Sequence, residues 1–251
     1  MLDALQCHWR QYLMEAAGLA AFISSACLVT TLVEHPSSPV RLAVGDPVLR
    51  RGLIGVWMGL TITAITYSPW GRRSGAHINP AVTWAFRRLG KMTTWDAVFY
   101  TLAQFLGGLT GVTVMAVLLS RWIAHPAVNF VVTEPGPAGM VPKYSPWVAF
   151  GGEFVISFLL MYTLLQTIAS KRWMPWAGAF AGVLILVYIV VETPLSSMSL
   201  NPARSFASAL MAHSWTALWV YFTAPTLSML LAAEACRRQP GMRNIPRFPK
   251  E

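Results

Sequence analysis

Two Asn-Pro-Ala triplets are the residues of this sequence whose types and spacing could do chemistry. They are Asn79-Pro80-Ala81 and Asn201-Pro202-Ala203. Asn is a strong helix N-cap, and Pro is favoured at the first helical position because its missing N–H would be unpaired there anyway. Each triplet therefore predicts the start of a helix. A capping Asn uses its side-chain oxygen on backbone N–H groups, which leaves its NH2 free to bind a polar molecule.

One such triplet alone would most simply start a short helix in a loop. Two copies favour a shared site, provided that the surrounding elements place them symmetrically. The elements that position the triplets therefore decide between two short helices in loops and one shared site.

Composition indicates a membrane protein. The 251 residues are 55% hydrophobic and 12% charged, with a mean hydropathy of +0.50, whereas soluble domains are about a quarter charged. The net charge of +9 does not predict nucleic-acid binding, because the basic residues form short clusters between long apolar runs. Such clusters are typical of loops that flank membrane spans. The three cysteines, Cys7, Cys27 and Cys236, share no metal-ligand spacing, and no cofactor is predicted.

The apolar runs have the length of membrane helices. A bilayer core needs about 20 mostly apolar residues per helix. Six stretches meet this need, at residues 12–33, 52–70, 95–119, 147–168, 174–192 and 215–235. Two shorter segments, 79–88 and 201–211, begin at the triplets and are too short to cross alone. The first ten residues lack the layout of a cleaved signal peptide, so the first apolar run is predicted to be retained as a span.

The positions of Lys and Arg predict the orientation. If the N-terminus is inside, thirteen of the nineteen basic residues fall on the inner side, five fall on the outer side, and Arg204 belongs to neither. Because cytoplasmic loops carry the excess of positive charge, both termini are predicted to be cytoplasmic. The expected location is a multi-pass protein of the plasma or inner membrane.

The chain also divides into two similar halves, predicted at residues 12–125 and 145–236, on either side of a Pro- and Gly-rich loop from about 120 to 146. Glu15 in the first half corresponds to Glu153 in the second, and a triplet follows each. Each half has three spans, so the second half must insert upside down relative to the first. The sequence thus predicts an all-α membrane protein with six transmembrane helices and two re-entrant half-helices, in an inverted 3+3 repeat.

This symmetry would bring the two helix starts together at mid-membrane. A helix start exposes unpaired backbone groups, which the membrane tolerates only within protein or along a wet cavity. The positive dipole ends of both half-helices would converge on one point, beside the two free Asn amide groups. Such a site would bind a neutral polar solute and repel cations. The whole chain, residues 1–251, is therefore predicted to be a single channel domain.

The sequence resembles the aquaporin (major intrinsic protein) family over residues 12–235. Besides the repeated glutamates, the resemblance rests on three stretches: Ser74-Gly-Ala-His-Ile-Asn-Pro-Ala-Val-Thr, Ser199-Leu-Asn-Pro-Ala-Arg-Ser-Phe and Ala103-Gln-Phe-Leu-Gly-Gly. The resemblance implies a six-span channel for water or small neutral solutes, assembled in the bilayer as a homotetramer with one pore per subunit.

The resemblance also implies roles for four ionisable residues. Glu15 and Glu153 would accept hydrogen bonds from the re-entrant loops, although carboxylates in apolar helices also suit a proton-coupled carrier. Arg204 would be the arginine of the outer selectivity constriction, with a structural salt bridge as the competing role. His77 would lie near the inner vestibule, where it either lines the pore or holds the loop.

The remaining filter positions depart from the family pattern. A water-selective member typically presents Phe, His, a small polar residue and Arg. Counting back from the second triplet puts Ile189 at the His position and Met198 at the small one. The Phe position falls on Met58 in one alignment and on Gly59 in another. The filter is thus predicted to be apolar apart from Arg204. This apolar lining should weaken strict selection for water or narrow the pore.

The leading hypothesis is a passive channel that conducts water and excludes protons and ions. The channel could also conduct other small neutral solutes. One alternative is a facilitator mainly for glycerol, urea, ammonia or peroxide. Ser205 after the filter arginine is typical of the water-channel branch, since the glycerol branch usually has Asp there. An ion-coupled secondary transporter is a further alternative. No nucleophile with its base stands in the sequence, so an enzyme is not predicted.

Overall fold

The computed structural model describes residues 1–136 and 145–249. Over these residues the chain forms eleven α-helices: α1 (Leu2–Glu34), α2 (Pro39–Ala43), α3 (Pro47–Tyr67), α4 (Pro69–Ser74), α5 (Pro80–Arg88), α6 (Thr94–Leu119), α7 (Pro146–Ala169), α8 (Ala177–Val191), α9 (Thr193–Ser196), α10 (Pro202–Ala212) and α11 (Leu218–Cys236). Short 3-10 turns lie at Ser120–Trp122, Asn129–Val131, Met174–Trp176 and Pro240–Asn244. Residues 137–144 of the long loop, with Lys143, and Lys250 of the C-terminal tail lie outside the described residues.

Six helical segments are long and apolar enough to cross a membrane, as predicted. They are α1, α3, α7, α11, α6 with the 3-10 turn that follows it, and α8 with the 3-10 turn that precedes it. Their starts differ from the prediction by a few residues, except that α1 begins at Leu2 rather than at residue 12. Polar contacts explain the early start of α1. The Tyr12 hydroxyl donates to Asp96 Oδ1 at 2.8 Å, and His8 Nδ1 lies 2.8 Å from the same oxygen. These contacts fix the first turns of α1 against the start of α6.

Both chain termini lie at one end of the helix bundle. The start of α1 contacts the start of α6, and Phe248 N donates to Lys91 O in the loop before α6, at 2.8 Å. We call this end the terminal face. The opposite end, the loop face, holds residues 35–46 and 120–136, where the rings of His35 and Trp122 lie 4.5 Å apart.

Glycines let the long helices approach closely. A Cβ on Gly107 of α6 would lie 2.1 Å from Ala16 O of α1, so no other residue fits there. A Cβ on Gly59 of α3 would lie 2.6 Å from Gly182 O of α8. In the third crossing, between α7 and α11, Ala224 and Ser228 are both fully buried. Small residues at such crossings are typical of helices that pack within lipid.

The pairs α1–α6 and α7–α11 join the first and third spans of each half, and α3–α8 joins the two second spans. The short helices α5 and α10 both pack against α6 and α11, and they touch each other at their starts. Large apolar side chains such as Leu106 and Val117 point outwards. The architecture is therefore the predicted one, with six spans and two half-helices in an inverted 3+3 repeat.

Candidate functional site

Both triplets cap the half-helices that they begin. Asn79 Oδ1 accepts a hydrogen bond from Ala81 N at 2.9 Å. Asn201 Oδ1 accepts from Ala203 N at 3.0 Å and from Arg204 N at 3.3 Å. Pro80 and Pro202 are the first residues of α5 and α10, in the position where their missing N–H costs nothing.

The two asparagines also join the two halves directly. Asn79 Nδ2 donates to Leu200 O at 2.7 Å, and Asn201 Nδ2 donates to Ile78 O at 2.8 Å. The expectation that both N–H groups of each amide are free is therefore wrong. One N–H of each amide is used on the opposite loop, so each asparagine keeps a single N–H for a solute.

Glu15 organises the loop that leads to α5. Its Oε1 accepts from Ser74 Oγ at 2.7 Å and from His77 N at 3.0 Å. Its Oε2 accepts from Ile78 N at 2.5 Å and from Gln104 Nε2 at 2.8 Å. The carboxylate is fully buried. It accepts from four donors that would find no hydrogen-bond acceptor in the hydrocarbon of the membrane.

Glu153 does the same for the loop that leads to α10. Its Oε1 accepts from Ser196 Oγ at 2.8 Å and from Ser199 N at 2.6 Å. Its Oε2 accepts from Leu200 N at 2.8 Å. The buried glutamates therefore occupy equivalent places, and each holds the backbone of one re-entrant loop.

Two tyrosines that the sequence analysis did not single out complete these loops. The Tyr100 hydroxyl donates to Ser74 O at 2.7 Å, and the Tyr221 hydroxyl donates to Ser196 O at 2.8 Å. Each tyrosine lies in the third span of its half, and this symmetry is the signal that could have identified them.

His77 both lines the central cavity and holds its loop, which the sequence left as alternatives. Its Nδ1 lies 3.2 Å from Thr83 Oγ1, and its ring stacks on Phe86 with centroids 4.6 Å apart. His77 and Phe86 are both among the residues that line the cavity.

The cavity has a volume of about 790 Å³. It extends from Arg41 and Pro47 at the loop face, past both triplet asparagines, to Phe248 at the terminal face. Much of its wall is apolar, from residues such as Phe22, Ile54, Ile62, Leu160, Leu164 and Ile185. The carboxylate of Glu34 lies at its loop-face end, 3.1 Å from the buried Arg50 Nε, an ion pair that the sequence analysis missed.

Four of the five predicted filter residues line this cavity. Met58, Ile189, Met198 and Arg204 all line the cavity. Gly59 is not among the described lining residues, because it faces Gly182 in the α3–α8 crossing. Of the two alignments of the second span, the geometry therefore places Met58 at the cavity.

Arg204 carries a buried charge beside this wall. Its side chain is 8% exposed, and its Nη1 has no hydrogen-bond partner among the described residues. No described carboxylate forms a salt bridge with it either. Because Nη1 is buried without a described protein partner, it needs water or a solute to satisfy its donors.

Comparison with known proteins identifies the family of this chain. The family model "Major intrinsic protein" matches residues 4–235. A probable aquaporin NIP-type from Nicotiana alata is 33% identical over 72% of this chain and 63% of its own length. Aquaporin-4 from Mus musculus is 30% identical over 72% of this chain and 54% of its own, so the chain matches little more than half of these relatives. The structure of an aquaglyceroporin from Plasmodium falciparum superposes with a TM-score of 0.75 at 18% identity, covering 92% of this chain and 96% of that one.

The six spans and the two half-helices meeting at their starts define a multi-pass integral membrane protein with the aquaporin fold. The chain belongs to the major intrinsic protein family.

Proposed function

We propose that the protein is a passive channel that conducts water and other small neutral solutes and excludes protons and ions. The observation that carries this proposal is the meeting of two capped half-helices beside a cavity whose lining residues reach both ends of the bundle. Each asparagine keeps one N–H that can donate to a solute oxygen. The positive ends of both helix dipoles oppose a cation at the same point. The similarity to a probable aquaporin from Nicotiana alata supports this assignment.

The selectivity filter of the proposal consists of Met58, Ile189, Met198 and Arg204. Arg204 supplies a fixed charge and several donors, and it acts against cations. The other three side chains are apolar and replace little of the hydration of a polar solute. This composition favours a second candidate function, a facilitator mainly for less polar neutral solutes such as glycerol, urea, ammonia or peroxide.

An ion-coupled carrier is less well supported. Both carboxylates that it would use, Glu15 and Glu153, already accept hydrogen bonds from the loops that they hold. A coupling site has to bind and release a proton or ion in each cycle, and such a cycle would break these contacts. We therefore assign the two glutamates to loop support.

We also propose an orientation and a location in the membrane. The terminal face, which carries most of the basic residues, is cytoplasmic, and the membrane is the plasma or inner membrane. The apolar outer faces of the helices are compatible with a homotetramer that has one pore in each subunit. Chemical cross-linking of protein in native membranes tests the tetramer.

Stopped-flow measurements on proteoliposomes test the function. Water, glycerol, urea, ammonia and peroxide are compared in one series, with protein-free vesicles as the control. We expect water flux above the control, without any ion gradient. Flux that requires a proton or sodium gradient would contradict the proposal, and flux of another solute far above that of water would favour the second candidate.

A further inference from the structure

The C-terminal segment after α11 folds back beneath the helix bundle. Its apolar residues Met242, Ile245 and Phe248 recur at every third position, and all three are buried. The basic residues between them, Arg243 and Arg247, are exposed. The segment thus has one face against the protein and one face in solvent.

Lys91, in the loop between α5 and α6, fixes this segment at three points. Its Nζ donates to Arg243 O at 3.1 Å and to Ile245 O at 2.8 Å. Its own carbonyl accepts from Phe248 N at 2.8 Å. Burial lowers the pKa of Lys91, and the positive charge of Arg247 lowers it further. The backbone of the segment is therefore held in register with the loop after the first half-helix.

These contacts place the ring of Phe248 at the terminal-face end of the cavity. The ring packs edge-on against His77, with centroids 5.1 Å apart, and against Phe86, at 5.2 Å. It also covers Gly75, whose φ of +99° suits glycine. A Cβ on Gly75 would lie only 2.6 Å from Phe248 Cδ1, so the loop leaves room for this ring and for little else. Phe248 is 8% exposed, and it lines the same cavity as both triplet asparagines.

From this geometry we infer that Phe248 forms the inner constriction of the pore and limits the flux and the size of the solutes that pass. The inference rests on the proposed channel function. An aromatic ring at a pore mouth restricts passage by its bulk and by repelling water from an apolar neck. The C-terminal segment, which lies beyond the six spans, thereby contributes a selectivity element to the pore.

The test compares two variants of opposite size. Phe248→Ala removes the ring, and Phe248→Trp enlarges it. Phe180→Ala is the matched control, because Phe180 is an aromatic residue of α8 on the outer surface of the bundle and is not among the described residues that line the cavity. A fourth variant, Lys91→Met, loosens the segment without touching a residue that lines the cavity. All four are reconstituted at full length, and monodisperse elution in detergent establishes that each has folded.

Water and glycerol fluxes are then measured by stopped flow. We expect Phe248→Ala to raise glycerol flux by about threefold or more, with a smaller rise for water. Lys91→Met should change both fluxes in the same direction, and Phe248→Trp should lower both. Equal fluxes in wild type and all Phe248 variants would overturn the inference while leaving the channel function standing. A folded Phe248→Ala channel with lower flux would also overturn it. No flux in any variant would overturn the proposed function itself, and this inference with it.

Discussion

Asn79 and Asn201 each hold the other's loop. The amide of Asn79 donates to Leu200 O at 2.7 Å and that of Asn201 donates to Ile78 O at 2.8 Å, while each side-chain oxygen caps its own half-helix. The same two side chains thus start both half-helices and join them. This arrangement leaves one N–H per asparagine for a solute, and it makes the two halves depend on each other.

Removing either asparagine should therefore disturb both halves. Asn79→Ala and Asn201→Ala each delete a helix cap and a buried hydrogen bond across the site, at a cost of about 1 to 3 kcal/mol in the free energy of unfolding. Thermal unfolding in detergent measures the loss, and we expect the two variants to lose similar amounts. Asn244→Ala, at the end of the 3-10 turn Pro240–Asn244, is the control because Asn244 is exposed and lies outside the site. A stable Asn79→Ala protein would show that the reciprocal contacts contribute little.

The charge of Arg204 should control exclusion of cations. Arg204→Val removes the one basic side chain of the proposed filter, and we expect proton or cation leak through vesicles that exclude both in the wild type. A pH-sensitive dye inside proteoliposomes reports the leak. Arg121→Val, an exposed position at the loop face, is the matched control. An Arg204→Val channel that excludes ions as well as the wild type would remove this residue from the filter.

The buried glutamates should behave as structural residues. In Glu15→Gln and Glu153→Gln the side-chain NH2 would face backbone N–H donors, which should cost about 1 to 3 kcal/mol for each donor left unpaired. We expect lower thermal stability for both variants, and no dependence of the remaining flux on a proton gradient. Glu234→Gln, at the surface of α11, serves as the control. Flux that is driven by a proton gradient in the wild type and lost in Glu15→Gln would support a carrier instead.

Substitutions of Met58 and Gly59 should differ in their effect on solute selectivity. Met58→Ala widens the proposed filter and should raise the ratio of glycerol to water flux. Because Met58 is buried, the truncation should also cost about 2 to 5 kcal/mol in the free energy of unfolding. Gly59→Ala places a Cβ within 2.6 Å of Gly182 O and should cost about 1 to 3 kcal/mol through overpacking, without a specific change in that ratio. The ratio of glycerol to water flux, measured by stopped flow, distinguishes the two roles, and thermal unfolding measures the stability that each variant loses. The reverse pattern would place Gly59 at the filter.

Restoring a polar residue at the filter should favour water. Ile189→His adds a donor and acceptor at the position where water-selective relatives are expected to carry His. We predict a higher ratio of water to glycerol flux, measured in the same proteoliposomes. Ile54→His, at another apolar position of the cavity wall, controls for simple polarity. An unchanged ratio would show that residue 189 does not face the narrowest part of the pathway.

The sequence predicted the spans, the half-helices and the inverted repeat because these follow from local rules. Apolar length sets the spans, and Asn before Pro starts a helix wherever it stands. The pairing of Glu15 with Glu153 could be inferred because repetition leaves a visible pattern. Apolar length, helix starts and repeats are properties of short segments of sequence, and contacts between distant residues do not change them.

Other features depend on contacts between distant residues and could not be predicted. The amide of Asn79 is used on Leu200 O, which only the meeting of the two loops shows. The choice between Met58 and Gly59 needed the geometry of the α3–α8 crossing, since the two residues are adjacent in sequence and face different neighbours. The contact between Phe248 and His77 likewise joins residues that are far apart in the sequence.

The most direct test of the proposed channel function is osmotic shrinkage of proteoliposomes, recorded together with internal pH and without any ion gradient. A passive channel that excludes protons should give fast shrinkage with a weak temperature dependence and no change in internal pH beyond that of protein-free vesicles. Shrinkage no faster than that of protein-free vesicles for every neutral solute tested, or proton entry that accompanies water flux, would contradict it.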